Sequence, residues 1–143
     1  MSDDDRTLQT SRWLPFAPAA VYAAFQDGQA LARWWGPEGF RNTFEVFEFR
    51  PGGLWRFVMH GPDGRDYPND SRFEALEPGA RVCLRHVCAP HFTLDVRLQA
   101  DGAGTRVHWA QTFDDPATAR AVAAYAGPGN EQNLDRLTRV LAG

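Results

Sequence analysis

The pattern of apolar and polar positions is clearest in the stretch 49–69, where two turn signals flank an alternating segment. The first turn signal is the Pro-Gly-Gly run at 51–53, since glycine readily adopts the backbone conformations that a tight reversal needs. After it, every second residue is bulky and apolar: Trp55, Phe57 and Met59. This period of two predicts a strand with one apolar face. That face either packs dry in a core or lines a cavity.

The same period of two recurs along most of the chain, and the segments are separated by short turn signals. It is cleanest around Leu94 and Val96, which alternate with Asp95 and Arg97. The predicted strands are Thr7–Leu14, Thr43–Phe49, Leu54–His60, Asn69–Leu76, Arg81–Cys88, Phe92–Gln99 and Thr105–Phe113. Short connections between successive strands favour an antiparallel meander with one covered face and one wet face.

Helical spacing replaces the alternation in three places. Two short helices are predicted after the first strand, over Pro18–Phe25 and Gln29–Trp35, with Asp27 as the cap of the second. A third helix begins at Asp115-Pro116 and runs to Leu141, with Leu134, Leu137 and Leu141 on one stripe. The Gly127-Pro128-Gly129 run predicts a break or a kink in it. This helix is the only long element available to cover the sheet, and a curved sheet around one helix leaves space between them.

Length, composition and charge limit the class of protein and the partners that it can have. The chain has 143 residues, a net charge of −3 and an aromatic fraction of 13%. Its length fits one domain, expected over 7–143 behind a disordered tail at 1–6. The negative charge argues against nucleic acid, and no apolar run is long enough for a membrane helix. The polar, acidic N-terminus lacks the core of a signal peptide, so we expect a cytoplasmic protein.

Cysteine and histidine spacing argues against both a disulfide and a metal site. Cys83 and Cys88 lie too far apart on one extended strand to be bridged, so we expect reduced thiols. Together with His86 and His91 they supply the residue types of a zinc site. On one strand, however, Cys83 points away from His86 and Cys88, so we expect no metal.

Several motifs together resemble a known family. They are LARWWGP at 31–37, RPGGLWRFVMHGPDGRDYPN at 50–69, GTRVHW at 104–109 and NEQNLDRL at 130–137. In these motifs and in its strand spacing the chain resembles the family of activators of heat-shock protein 90 ATPase homologues. That family belongs to the START-like (SRPBCC, Bet v 1-like) superfamily.

The resemblance implies an α+β helix-grip fold, with a curved antiparallel sheet of six to seven strands around a long C-terminal helix. It implies a hydrophobic cavity between them and no cofactor. Relatives in the superfamily bind lipids, hormones or polyketides, and some catalyse cyclisation or dehydration, but this branch offers no general catalytic motif. Co-chaperone members carry an additional N-terminal domain, for which this sequence has no counterpart. A chaperone partner and a homodimer both stay open.

The candidate ligand site combines the apolar faces of the strands and helices with two polar side chains. His86 falls on the covered face by alternation, and Gln111 does the same on the last strand. The candidate residues are Trp34, Trp35, Trp55, Phe57, Met59, Phe73, His86, Phe92, Leu94, Trp109, Gln111, Tyr125 and Leu134. For each apolar member the alternative is ordinary core packing.

Three classes of function follow from this reading. The first is a binding protein for a small hydrophobic or aromatic molecule, with no chemistry of its own. The second is a cyclase- or hydrolase-like enzyme, which needs an acid/base pair in the cavity. The third is a protein-interaction module, for which an exposed apolar patch would be the mark. Of these, the sequence favours the binding protein.

Overall fold

The computed structural model describes residues 5–143, and over this range the fold is an antiparallel sheet of seven strands that packs against three helices. Its elements are β1 (Thr7–Leu14), α1 (Pro18–Gln26), α2 (Gly28–Trp34), β2 (Arg41–Phe47), β3 (Leu54–His60), β4 (Asp66–Glu77), β5 (Arg81–His86), β6 (Phe92–Asp101), β7 (Gly104–Phe113) and α3 (Pro116–Ala142). The predicted order of one strand, two short helices, six strands and a long helix is confirmed.

The strands form one sheet in the order β1-β7-β6-β5-β4-β3-β2. From β2 to β7 each strand pairs with the next one along the chain, as expected for a meander. β1 instead crosses over to pair with β7, and Thr7 lies opposite Thr112. The two strands adjacent in sequence, β1 and β2, therefore form opposite edges of the sheet.

Alternating burial explains why the sheet has one covered face. In β6 the side chains of Leu94 and Val96 are buried, whereas that of Arg97 is exposed. The covered face carries the core, and α1, α2 and α3 pack on it. None of the helices within residues 5–143 combines the length and the apolar character needed to cross a membrane.

Both predicted acidic caps are present. The Asp27 carboxylate accepts a hydrogen bond from the Gln29 backbone N–H at 3.0 Å, which starts α2. The Asp115 carboxylate accepts one from the Ala117 N–H at 3.2 Å, which starts α3.

The predicted break at Gly127-Pro128-Gly129 is absent, because α3 runs without interruption through Pro128. Proline removes one backbone donor, the one that would bond to the Ala124 carbonyl. The remaining helical bonds and the buried side chains of Leu134 and Leu137 hold the element together. α3 is therefore one long cover.

Two buried polar side chains of α3, Asn133 and Arg136, bind the backbone at the C-terminal end of α2 and just beyond it. The Asn133 amide nitrogen donates to the Trp34 carbonyl at 2.9 Å, and its amide oxygen accepts from the Gly36 N–H at 3.2 Å. The Arg136 guanidinium donates to the backbone carbonyls of Arg33, Trp35, Gly36, Pro37 and Phe40. We call Arg136 and its five carbonyl partners the arginine clamp. Burial lowers the pKa of Arg136 from its ordinary value.

β5 is shorter than the sequence predicts, because it ends at His86 rather than at Cys88. Cys88 lies beyond the end of the strand and lines a groove together with Arg56 and Asp70. The expected disordered tail falls mainly on residues 1–4, which lie outside the described residues, while the Arg6 carbonyl accepts a hydrogen bond from the Phe113 N–H.

Candidate ligand cavity

A cavity of about 250 Å³ lies between the covered face of the sheet and α3. Side chains from β3 to β7 form its floor, and the middle of α3 forms its roof. Its lining comprises Trp35, Gly36, Pro37, Phe57, Met59, Asn69, Ser71, Leu84, His86, Pro90, Phe92, Leu94, Trp109, Gln111, Tyr125, Ala126, Gly129, Asn130 and Asn133.

The cavity brings together most of the residues that the sequence proposes for it. Those in its wall are Trp35, Phe57, Met59, His86, Phe92, Leu94, Trp109, Gln111 and Tyr125. Tyr125 is largely solvent-exposed, with 68% of its surface accessible, so it stands at the mouth rather than in the depth.

The other proposed residues lie in the adjoining core: Trp34, Trp55, Phe73 and Leu134. Trp34 is the last residue of α2, and its indole N–H donates to the Ala24 carbonyl at 3.0 Å. Trp55 stacks on Phe57 with ring centroids 4.3 Å apart and lies parallel to Phe73 at 5.8 Å. Trp34, Trp55 and Phe73 pack in the core next to the cavity, so they support its wall without lining it.

The cavity wall is aromatic on two sides. The rings of Trp35 and Trp109 lie 6.0 Å apart at 36°. The His86 imidazole stacks on Phe92 with centroids 4.5 Å apart and an angle of 12°. The indole N–H of Trp109 has no hydrogen-bond partner among the described residues. Flat apolar surfaces of this kind suit a flat apolar molecule.

His86 is the histidine among the described lining residues, and only 5% of its surface is exposed. Its Nδ1 lies 2.8 Å from the Pro90 carbonyl oxygen, which can only accept, so Nδ1 donates. Its Nε2 lies 2.7 Å from the Asn69 amide oxygen and 3.5 Å from the Cys88 sulfur. The Pro90 carbonyl favours the charged ring, whereas burial disfavours it. Burial is the larger effect, and the pKa of His86 lies below its ordinary value.

Two carboxamides, one on the sheet and one on α3, meet across the cavity. The Asn130 side chain on α3 donates from Nδ2 to Oε1 of Gln111 on β7 at 3.1 Å. The bond joins the helix directly to the sheet across one side of the cavity. Among the described lining residues there is no aspartate, glutamate, lysine or arginine.

Sequence reasoning missed the polar lining residues Asn69, Ser71, Asn130 and Asn133. The signal was available for Asn69 and Ser71, since alternation places both on the face of Phe73. On α3 the stripe through Leu134 and Leu137 extends back to Asn130 and Asn133, at helical spacing. A search for apolar residues alone passes over these positions.

The described part of the chain does not gather the side chains of a metal site. Among residues 5–143, no cluster of three or more histidine, cysteine, aspartate or glutamate side chains is placed to bind an ion. Cys83 and Cys88 are both free thiols, as expected.

Comparison with known proteins places this geometry in a family. The family profile described as "Activator of Hsp90 ATPase homolog 1-like protein" matches residues 15–142. The chain belongs to this family. The match covers β2 to β7, α1, α2 and nearly all of α3, so every lining residue of the cavity falls within it. A search of curated proteins finds no match.

Solved structures of similar proteins share the fold. A protein from Nitrosomonas europaea matches with a TM-score of 0.89 and 20% identity over 99% of this chain and 97% of that one. A protein from Rhodobacter sphaeroides matches with a TM-score of 0.85 and 28% identity over 96% and 93%. An AHSA1 protein from Silicibacter pomeroyi matches with a TM-score of 0.76 and 22% identity over 95% and 97%. The family and its START-like helix-grip fold, inferred from sequence motifs, are confirmed.

Proposed function

We propose that this AHSA1-family protein binds a small, uncharged, aromatic or otherwise apolar molecule in the cavity between the sheet and α3. The observation that carries the proposal is the chemistry of the wall. It is aromatic and aliphatic, it contains a few uncharged polar groups, and none of its described members is a carboxylate or a permanent cation. An ion placed there would lose its hydration without gaining a counter-charge, which costs several kcal/mol.

The volume of the cavity limits the size of the ligand. About 250 Å³ is the space of roughly eight water molecules at about 30 Å³ each. This lies just below the range of about 300–1,000 Å³ that is typical of sites for drug-sized ligands. The cavity therefore suits one or two fused rings better than a long acyl chain.

Naphthalene is a suitable probe, because it is flat, uncharged and free of hydrogen-bonding groups. Ala126 lies on α3 in the cavity wall, so the Ala126→Phe variant should fill part of the space. We expect the wild-type protein to bind naphthalene in isothermal titration calorimetry, and Ala126→Phe to bind it at least tenfold more weakly.

The matched control is Ala124→Phe, which adds the same ring to the same helix at an exposed position outside the cavity wall. This variant should bind naphthalene as the wild type does. Equal weakening by both substitutions, or no heat of binding with the wild type, would contradict the proposal.

An enzyme using the same cavity is the second candidate, and one contact favours it. The Cys88 sulfur lies 3.5 Å from Nε2 of His86, which is the spacing of a thiol and a potential base. However, Cys88 is not among the lining residues of the cavity. A turnover that His86→Gln abolishes, on any substrate, would change the proposal from binding protein to enzyme. The homodimer, the chaperone partner and the cytoplasmic location stay predictions.

A further inference from the structure

The pair formed by Gln111 and Asn130 offers more specific recognition than the rest of the cavity wall. Gln111 projects from β7 and Asn130 from α3, and both line the cavity. They are joined by one hydrogen bond of 3.1 Å, from the Asn130 amide nitrogen to the Gln111 amide oxygen. We call these two side chains the carboxamide pair.

A single bond between two carboxamides leaves half of each group unused. A carboxamide has an oxygen that accepts and an NH₂ group that donates. Here the Gln111 NH₂ group and the Asn130 oxygen have no hydrogen-bond partner within residues 5–143. If the bond ran in the opposite direction, the unused groups would again be one donor and one acceptor. The pair therefore presents a donor beside an acceptor in either arrangement.

Several other polar groups of the wall are already committed. Both ends of the Asn133 carboxamide are used, by the Trp34 carbonyl and the Gly36 N–H. His86 uses Nδ1 on the Pro90 carbonyl and has Asn69 against Nε2. The indole N–H of Trp109 is unpartnered as well, but it can only donate. The carboxamide pair keeps a donor and an acceptor on two neighbouring side chains, as a ligand with both groups on one edge requires.

We propose that the carboxamide pair recognises a lactam, that is, a cyclic amide whose N–H and carbonyl lie on one edge of a flat ring. The ligand carbonyl accepts from the Gln111 NH₂ group, and the ligand N–H donates to the Asn130 oxygen. A carboxylic acid has a similar edge, but it ionises at neutral pH, and the described wall holds no cation to pair with it. This inference rests on the proposed function and narrows its ligand class to uncharged aromatic lactams.

The first test uses the wild-type protein and two probes that differ at one atom. 2-Quinolone is a bicyclic lactam, and N-methyl-2-quinolone has the same rings without the N–H donor. Calorimetry should show 2-quinolone binding about tenfold more tightly, since the N-methyl compound covers the Asn130 acceptor without pairing it. Equal affinities would overturn the inference.

The second test excludes a purely steric effect of the methyl group. Asn130→Leu keeps a side chain of similar size and removes the acceptor of the ligand N–H, so the preference for 2-quinolone should fall below about twofold. Gln99→Leu removes a carboxamide at an exposed position on β6 and should keep the full preference. A preference that survives in Asn130→Leu would also overturn the inference.

Naphthalene separates failure of this inference from failure of the proposed function. It should bind the wild type and Gln99→Leu within about twofold of each other, because it makes no hydrogen bond and Gln99 lies outside the cavity wall. If naphthalene binds and the lactam preference is missing, the cavity is a binding site without lactam selection. If naphthalene does not bind the wild type, the proposed function itself is wrong. Should Asn130→Leu not fold, the comparison of the two quinolones in the wild type still decides.

Discussion

Two single residues of the sheet, His86 and Cys83, have pKa values that are shifted by burial more than by their partners. His86 has a carbonyl and an amide oxygen within hydrogen-bond distance of its ring, yet burial keeps its pKa below the ordinary value. The ordinary pKa of about 6.5 applies when the chain is unfolded. The unfolded chain therefore binds the proton more readily than the folded one, and acid favours unfolding.

The pH dependence of stability should report this difference. The contribution of His86 is complete above about pH 6.5 and is lost as the pH falls toward the lower pKa of the folded state. We expect the free energy of unfolding in urea to fall between pH 7.5 and pH 5, and to fall less in His86→Gln. His108→Gln, at an exposed histidine, is the control. Identical slopes in the wild type and His86→Gln would contradict the argument.

The two thiols should differ in the same way. Cys83 is 4% exposed and burial raises its pKa, whereas Cys88 is half-buried beyond the end of β5. Because the thiolate is the reactive form and needs access to the reagent, iodoacetamide should modify Cys88 well before Cys83 in the folded protein. Mass spectrometry of peptides at timed intervals measures both rates, and a denatured sample, in which the two should react alike, is the control. Equal rates in the folded protein would be the contrary result.

At the scale of elements, α3 is held by polar groups that no apolar pattern reveals. The arginine clamp satisfies five backbone carbonyls around the C-terminal end of α2 with one buried guanidinium. Such carbonyls otherwise lack partners at a helix end. A buried cation is costly alone, but here its hydrogen bonds compensate for the lost hydration.

Arg136→Met should therefore destabilise the protein strongly. It keeps much of the apolar stem but leaves buried carbonyls without a donor, for which we expect a loss of about 3 kcal/mol in the free energy of unfolding. Arg139→Met is the matched control on the same helix, because Arg139 forms an exposed ion pair with Glu38. Its loss should stay below about 1 kcal/mol. Urea denaturation measures both, and similar losses would show that the clamp adds little.

The element scale also shows how far the sequence alone can lead. Alternation correctly assigns Phe57 and His86 to the covered face, and helical spacing finds the stripe through Leu134. Periodicity gives the face of a residue but not its position along that face. It cannot separate Trp55, which is in the core, from Phe57, which reaches the cavity. Trp34 lies in the core and its neighbour Trp35 lies in the cavity wall, because α2 ends between them. The position of that helix end depends on tertiary contacts.

In the whole molecule, one half of the covered face of the sheet packs in the aromatic core, and the other half faces the cavity. In the half next to α1 and α2, the aromatic rings of Trp34, Trp55 and Phe73 are buried in the core. Under the middle of α3 the facing helix residues are small or polar, Ala126, Gly129 and Asn130, and the cavity opens there. The order of elements was predictable from the sequence. The position of the cavity was not predictable, because it depends on which small residues of α3 face the sheet. The sequence does not give the orientation of the helix on the sheet.

The pairing of β1 with β7 has a consequence for synthesis. β1 leaves the ribosome first among the seven strands, yet the strand that it pairs with is made last. Until then β1 has no strand beside it, and the intervening sheet can form without it. Because such a distant pairing must close a long loop, it is expected late in folding. The nascent chain therefore completes its sheet only after β7 has been made, and until then β1 presents an unpaired strand edge.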